Sequence, residues 1–323
     1  MIAFIIRRLL ALIPLLLGVT FMVFFLMSLT QTNYLTPLKA ERDISPEMIA
    51  ALEKKFGLDK PWYERYFLWL TNVLHGDFGY SWTYKMSVIE LLLQRVQATL
   101  LLNLSSLAIA WCIALPLGVL AAIYKDSFID RLSSFFAYIS ISFPEFFLAL
   151  LAVYFAARTG WFPIGGLTSI EYPFLSPLDK AIDIVYHLIL PTFVLSVGGI
   201  ANMMKIMRGS FLDAIRAEYV LTARAKGLPE SLVMFRHVFR NAVNPLISTF
   251  GYVIAGLLSG SLLVENIMNY PGIGQLIYSA LMKQDQFVVL GSVVFSCILL
   301  IVGNLVADIL LAWVDPRVVH HER

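Results

Sequence analysis

Six long apolar runs dominate the hydrophobic pattern of the chain. They cover Leu9–Leu29, Thr99–Ile123, Leu132–Ala156, Tyr186–Met204, Pro245–Val264 and Val288–Val314. A helix needs about 20 mostly apolar residues to cross the hydrocarbon core of a bilayer, so each run predicts one crossing. The first follows Arg7-Arg8 and superficially resembles a secretory leader. Its apolar stretch exceeds the roughly 7–15 residues of a leader core, and no clean cleavage site follows it, which predicts an uncleaved span. Pro14, Pro116, Pro144 and Pro191 lie in or near spans, where kinks are tolerated if neighbours satisfy the freed backbone groups.

The polar intervals set the orientation. With a cytoplasmic N-terminus, the inner side holds Arg7, Arg8, Lys125, Arg131, Lys205, Arg208, Arg216, Arg224, Lys226, Arg236, Arg240, Arg317 and Arg323. The two short outer loops hold only Arg158, Lys180 and Lys283. By the positive-inside rule this predicts an all-α integral membrane protein of six transmembrane helices with both termini cytoplasmic. The organisation is then residues 1–29 as N-terminus and first helix, 30–98 as an extracytoplasmic segment, 99–314 as a core carrying helices two to six, and 315–323 as a cytoplasmic tail.

Two intervals carry structure of their own. In the outer segment, Ser45-Pro46-Glu47 predicts a helix start and Gly57 its end. A second helix is predicted from near Pro61, with Trp62, Tyr66, Trp69 and Val73 at helical spacing and Gly76 after them. This predicts a small domain on the outer membrane surface, or a contact with an external partner. The cytoplasmic loop 205–244 predicts a helix over Asp213–Lys226, ended by Gly227 in a left-handed conformation, and a second over Glu230–Asn241 after Pro229. Ala214, Ala217, Ala223 and Ala225 would allow another body to approach closely. A solvated basic loop explains the charges of this interval but not its Ala/Gly arrangement.

Composition narrows the function. The chain has 323 residues, 59% hydrophobic and 14% charged. Soluble domains run about 45–50% apolar and about 25% charged, so neither a soluble nor a disordered protein fits. The net charge of +2 provides no field for nucleic acid. Cys112 and Cys297 both sit in apolar runs, so no disulfide framework or cysteine metal site is expected. No phosphate-binding G-x-x-x-x-G-K-[ST] loop and no H-E-x-x-H occurs. The five histidines are scattered, so neither catalysis nor a metal site is expected. The polar residues within spans are Glu145, expected midway along the third, Asn202 near the inner end of the fourth after Gly198-Gly199, and Asn304 and Asp308 in the sixth. Intramembrane ionisable residues are candidates for a translocation path. Interhelical hydrogen bonding is the structural alternative.

A resemblance emerges at the cytoplasmic loop. Glu218-Tyr-Val-Leu-Thr-Ala-Arg-Ala-Lys-Gly-Leu-Pro229, followed by Phe235-Arg-His-Val-Phe-Arg-Asn-Ala-Val-Asn-Pro245, resembles the signature of permeases of ATP-binding-cassette importers, specifically the oligopeptide/dipeptide/nickel branch. Arg7-Arg8-Leu9, Phe56-Gly-Leu-Asp-Lys-Pro61, Gly76-Asp-Phe-Gly-Tyr-Ser81, Ser142-Phe-Pro144, His187-Leu-Ile-Leu-Pro191, Glu265 with Tyr270-Pro-Gly-Ile-Gly274, and Asp315-Pro-Arg317 are similar to the family in the same order. The sequence departs from the general signature at Leu221 and Thr222, where Glu-Ala is usual, a variant typical of the peptide/nickel branch. The acidic-glycine-proline element often found after the first span is also missing.

The resemblance implies a type I importer permease fold, the first permease subunit type, in the bacterial cytoplasmic (inner) membrane. It implies as partners a second homologous permease, two ATP-binding subunits and an extracytoplasmic solute-binding protein, with ATP and Mg held by partner subunits and no cofactor in this chain. It implies that Glu218, Tyr219, Ala223, Arg224, Ala225, Lys226 and Gly227 couple to the ATP-binding subunit. Tyr270, Pro271, Gly272, Ile273 and Gly274 are outer-gate candidates, with a short helix predicted over Gln275–Leu281. The solute stays open among oligopeptide, dipeptide, nickel chelate and other small solutes. The competing reading is an ion-coupled secondary transporter or channel acting without ATPase subunits, which predicts inverted repeats; none is visible. A membrane enzyme lacks clustered catalytic groups.

Overall fold

The apolar runs become helices, and proline decides which of them break. The computed structural model describes residues 2–29, 60–81 and 83–314, and the side chains of 2–12, 249–260 and 307–314 fall outside the description. The expected helix at Ser45–Glu47, its end at Gly57, most of the 56–61 motif and Asp315-Pro-Arg317 therefore lie outside the described residues. The helices are α1 Ile2–Leu29, α2 Trp62–Leu74, α3 Val88–Ile123, α4 Phe128–Ser142, α5 Glu145–Thr159, α6 Pro177–Ile215, α7 Glu218–Ala225, α8 Asn244–Ile267, α9 Ile273–Met282 and α10 Gln286–Val314. Of the described side-chain set, α3, α6 and the 286–306 stretch of α10 are long and apolar enough to cross a membrane, and α4 with α5 passes jointly as a broken span.

The expected third span is not one helix. α4 and α5 meet at 96°. Phe143 has φ −93° and ψ 125°, and Pro144 caps α5. A residue before proline is driven from helical into extended backbone, so Phe143 ends α4. Pro14, Pro116 and Pro191 remain inside α1, α3 and α6.

The chain divides into two units. One comprises residues 1–99 and 271–301. Its core gathers Phe24, Tyr66, Trp69, Leu92, Leu276 and Val288. α2 forms as the Trp/Tyr spacing predicts and packs on α1. The Tyr66 hydroxyl donates to the Leu17 carbonyl at 3.2 Å and lies 3.1 Å from the Thr20 hydroxyl. Phe21 meets Trp62 edge-on with centroids 5.4 Å apart. Such aromatic pairs are worth about 0.5–1.5 kcal/mol beyond their burial. After Gly76, which adopts φ +85°, a two-stranded antiparallel hairpin pairs Tyr80 with Ser87 and Ser81 with Met86. The buried Asp285 carboxylate holds the hairpin, accepting from the Ser81 hydroxyl at 2.7 Å and the Thr83 N–H at 3.3 Å.

The other unit comprises residues 100–270 and 302–323. α6 is its axis, with α4, α5 and α8 packed along it. Its core combines Ala110, Ala114, Met204, Met207 and Phe211 with Val220, Val233 and Leu246. At Gly118 a Cβ would lie 2.7 Å from Met207 Cβ and 2.9 Å from the Met204 carbonyl oxygen, so the missing side chain permits close approach of α3 and α6. Ser127 and Ser176 cap α4 and α6 by accepting from the backbone N–H three residues on.

Candidate functional site

The 205–244 loop is built as two short helical bodies around a left-handed glycine. The expected helix over Asp213–Lys226 divides. Asp213 to Ile215 finish α6, Arg216 caps it, and Ala217, extended at φ −70° and ψ 147°, opens α7. The break gives α7 its own direction. Val220 and Ala223 point into the core of the unit, so the smallness of Ala223 serves packing within this chain, as does that of buried Ala214. Glu218, Tyr219, Arg224, Ala225, Lys226 and Gly227 are exposed, as is Leu221.

Gly227 terminates α7 as the sequence predicts, at φ +73°. Its N–H donates to the Arg224 carbonyl at 2.9 Å, and the Leu228 N–H reaches back to Ala223 at 3.4 Å. This pair of bonds is the Schellman arrangement, in which a left-handed residue satisfies the last carbonyls of a helix. A Cβ on Gly227 would meet nothing within 4 Å. Backbone conformation, rather than crowding within this chain, requires glycine here.

Beyond Pro229 the expected second helix forms with a wider coil. A π-helical stretch, Val233–Phe239, lies between single turns Glu230–Leu232 and Arg240–Ala242. Arg224 locks the two bodies together. Its Nη2 donates to Glu230 Oε1 at 2.6 Å and its Nε to Oε2 at 3.1 Å. These bonds hold the Glu230 carboxyl below its usual range. Leu221 is 57% exposed and Phe235 74% exposed.

The outer-gate candidates divide between the units. In the second, Tyr270 is buried, and its N–H donates to the Glu265 carbonyl at 2.7 Å. Burial, helped by the Glu265 charge, pushes its phenol pKa up. In the first, Gly272 precedes α9, while Ile273 and Gly274 begin it, two residues earlier than predicted. Ile273 is 3% exposed, and its N–H donates to the Thr99 hydroxyl at 2.8 Å. Gly272 has φ −97° and Gly274 is helical, whereas Asn269, at φ +48°, carries the left-handed turn.

The path candidates lie on three helices, α5, α6 and α10. Glu145 is the first residue of α5, at the break between α4 and α5 rather than midway along one helix. Asn202 is exposed on α6, and Asn304 is half-buried on α10. The Asp308 side chain lies outside the described residues. Sequence reasoning missed the grip of Arg208 on buried Asp130, although Ser127-x-x-Asp130 is a legible helix-start pattern.

Residues 114–320 match the family model for the binding-protein-dependent transport system inner membrane component, and residues 1–103 match that family's N-terminal membrane component. The chain is 39% identical over 320 residues to the oligopeptide transport system permease protein AppB of Bacillus subtilis, covering 98% of this chain and 99% of that protein. It is 38% identical over 285 residues to the peptidoglycan transport system permease protein YejB of Agrobacterium fabrum, covering 87% and 78%. It is 34% identical over 338 residues to the dipeptide transport system permease protein DppB of Escherichia coli, covering 99% of each. These matches support an importer permease over a transporter or channel acting alone. The chain belongs to the binding-protein-dependent transport system inner membrane component family and is an inner-membrane permease subunit of an ATP-binding-cassette importer.

Proposed function

We propose that this permease carries short peptides inward, with six crossings and both termini cytoplasmic, in an assembly with a second permease, two ATP-binding subunits holding ATP and Mg, and an extracytoplasmic binding protein. The observation that carries the coupling role is α7. It is seated by Val220 and Ala223, ended by left-handed Gly227 and clamped by Arg224 to Glu230, while Tyr219, Leu221 and Phe235 stay uncovered. A helix fixed to its own bundle on one face and exposed on the other can transmit motion of a bound subunit as a rigid body. ATP-driven closure of the ATP-binding pair would then bias the spans between inward- and outward-open states. Glu218, Tyr219, Arg224, Ala225, Lys226 and Gly227 form the coupling contact, with Ala223 supporting it from beneath.

Peptide as solute rests on the relatives, two named for oligopeptide and dipeptide transport. The Tyr270–Gly274 segment serves as an outer gate in this reading, supported by the burial of Tyr270 and Ile273. The test is co-expression with ATP-binding subunits and purification through this chain. Retained subunits whose ATPase rises with a peptide-loaded binding protein are expected. A chain that purifies alone and transports without ATP would overturn the reading.

A further inference from the structure

One face of the second unit carries polar groups where a lipid-facing surface would carry none. α4 and α6 run antiparallel, and their contacts form a ladder. Asp130 grips Arg208 at one end. Next, the Lys205 ammonium lies 3.7 Å from the centre of the Tyr138 ring. Beyond the α4 end, Glu145 Oε1 lies 3.6 Å from the place a Gly198 Cβ would occupy. Tyr138 and Ser142 follow one face of α4 at a spacing of four residues, and Gly198, Asn202 and Lys205 follow one face of α6 at helical spacing. Tyr138, Ser142 and Asn202 are exposed.

Depth follows from helix geometry. Gly198 lies ten residues from Arg208, about 15 Å along α6 at 1.5 Å per residue. With the Asp130–Arg208 pair at the inner boundary, Glu145 stands near the middle of a hydrocarbon layer about 30 Å thick. A carboxylate at that depth does not face lipid without cost, and Gly198 leaves space beside it. Among the described residues Glu145 has no hydrogen bond or ion pair, and Lys205 pairs with no carboxylate, whereas the Arg208 charge is neutralised by Asp130. The face therefore has an unpaired carboxyl group at mid-depth and a cation toward the cytoplasm. Gly198 and Lys205 are seven residues apart, about 10 Å. A three-residue peptide in extended form spans about the same length.

Resting on the permease reading, we propose that this face lines the translocation path as a dipolar lane for zwitterionic short peptides. Glu145 receives the peptide ammonium, Lys205 receives its carboxylate, and Ser142 and Asn202 supply hydrogen bonds between them. The lane favours a free amino terminus and a free carboxyl terminus about three residues apart.

Two measurements test it in the full assembly carrying Cys112→Ser and Cys297→Ser. In inside-out vesicles, a charged, impermeant thiol reagent should label Asn202→Cys at least tenfold faster than Phe136→Cys, an exposed apolar position on α4. In right-side-out vesicles, Glu145→Gln should lower tri-alanine uptake at least tenfold with the ATP-binding subunits still bound, and Lys205→Gln should erase the preference for tri-alanine over its C-terminal amide. Labelling of Asn202→Cys no faster than Phe136→Cys, or unchanged uptake and preference in both variants, would overturn the lane. The labelling needs only the inserted chain, so it decides the lane even if ATP-binding subunits fail to co-purify, a failure that counts against the permease reading alone.

Discussion

Arg208 holds Asp130 with two parallel bonds, Nε to Oδ1 and Nη2 to Oδ2, both 2.7 Å, across 78 residues of sequence. The Asp130 side chain is 5% exposed and that of Arg208 27%. The pair fixes the beginning of α4 against the C-terminal part of α6. Removing one partner of a buried pair leaves an uncompensated charge, costing about 3–5 kcal/mol when burial is complete. With Arg208 partly solvated, Asp130→Ala should cost about 2 kcal/mol, read as a lower unfolding midpoint in detergent. In a double-mutant cycle, Asp130→Ala with Arg208→Ala should lose less than the sum of the single variants. Strict additivity would show that the pair contributes nothing of its own.

Gly227 separates conformational strain from contact. Gly227→Ala imposes about 1 kcal/mol of left-handed strain and no clash within this chain. Gly227→Asp adds charge on the exposed side. Insertion should be normal in both, with ATP-driven uptake reduced modestly by alanine and at least tenfold by aspartate. Wild-type uptake in the aspartate variant would remove α7 from the coupling contact.

Gly165 shows a tighter constraint. A Cβ there would fall 2.2 Å from the Met268 carbonyl oxygen, and Gly166 N–H donates to that same oxygen at 3.0 Å. Backbone cannot yield as a side-chain tip can. Gly165→Ala should destabilise by about 1–3 kcal/mol and speed proteolysis within 160–176. Unchanged cleavage would contradict the seating of this loop on the end of α8.

The Asp285 carboxylate ties down the Tyr80–Ser87 hairpin. Asp285→Ala leaves the Ser81 hydroxyl and Thr83 N–H without their acceptor, at a cost of about 1–3 kcal/mol. Faster hydrogen exchange confined to 77–87 is expected, with Asp285→Asn milder. Exchange identical to wild type would show that the hairpin is held by other contacts.

Local signals were legible in the sequence where a residue acts on its own backbone. Gly227 was readable as a left-handed cap because glycine populates that region cheaply, and α2 was readable from Trp62, Tyr66 and Trp69. The break at Phe143 was not, because Pro14, Pro116, Pro144 and Pro191 look alike in an apolar run, and only Pro144 follows a residue that the fold leaves extended. Arg216-Ala217 was absorbed into a single predicted helix because alanine does not announce a break. Asp130–Arg208 and Ser81–Asp285 join residues 78 and 204 positions apart, a separation that periodicity does not register. Of the candidate site, the 205–244 loop was visible as composition, whereas the division of α7 into a buried Val220/Ala223 side and an exposed Leu221 side depends on where the helix starts.

In the proposed assembly α7 docks an ATP-binding subunit, and position 221 reads that contact directly. Leu221→Cys, in the Cys112→Ser, Cys297→Ser background and carrying a benzophenone photo-cross-linker, is illuminated in the assembled, transport-competent complex. An adduct with the ATP-binding subunit is expected, absent from the same probe at Ile164 in the loop between α5 and α6, with a yield that changes when ATP is trapped. Transport-competent complex that gives no such adduct from position 221 would contradict it.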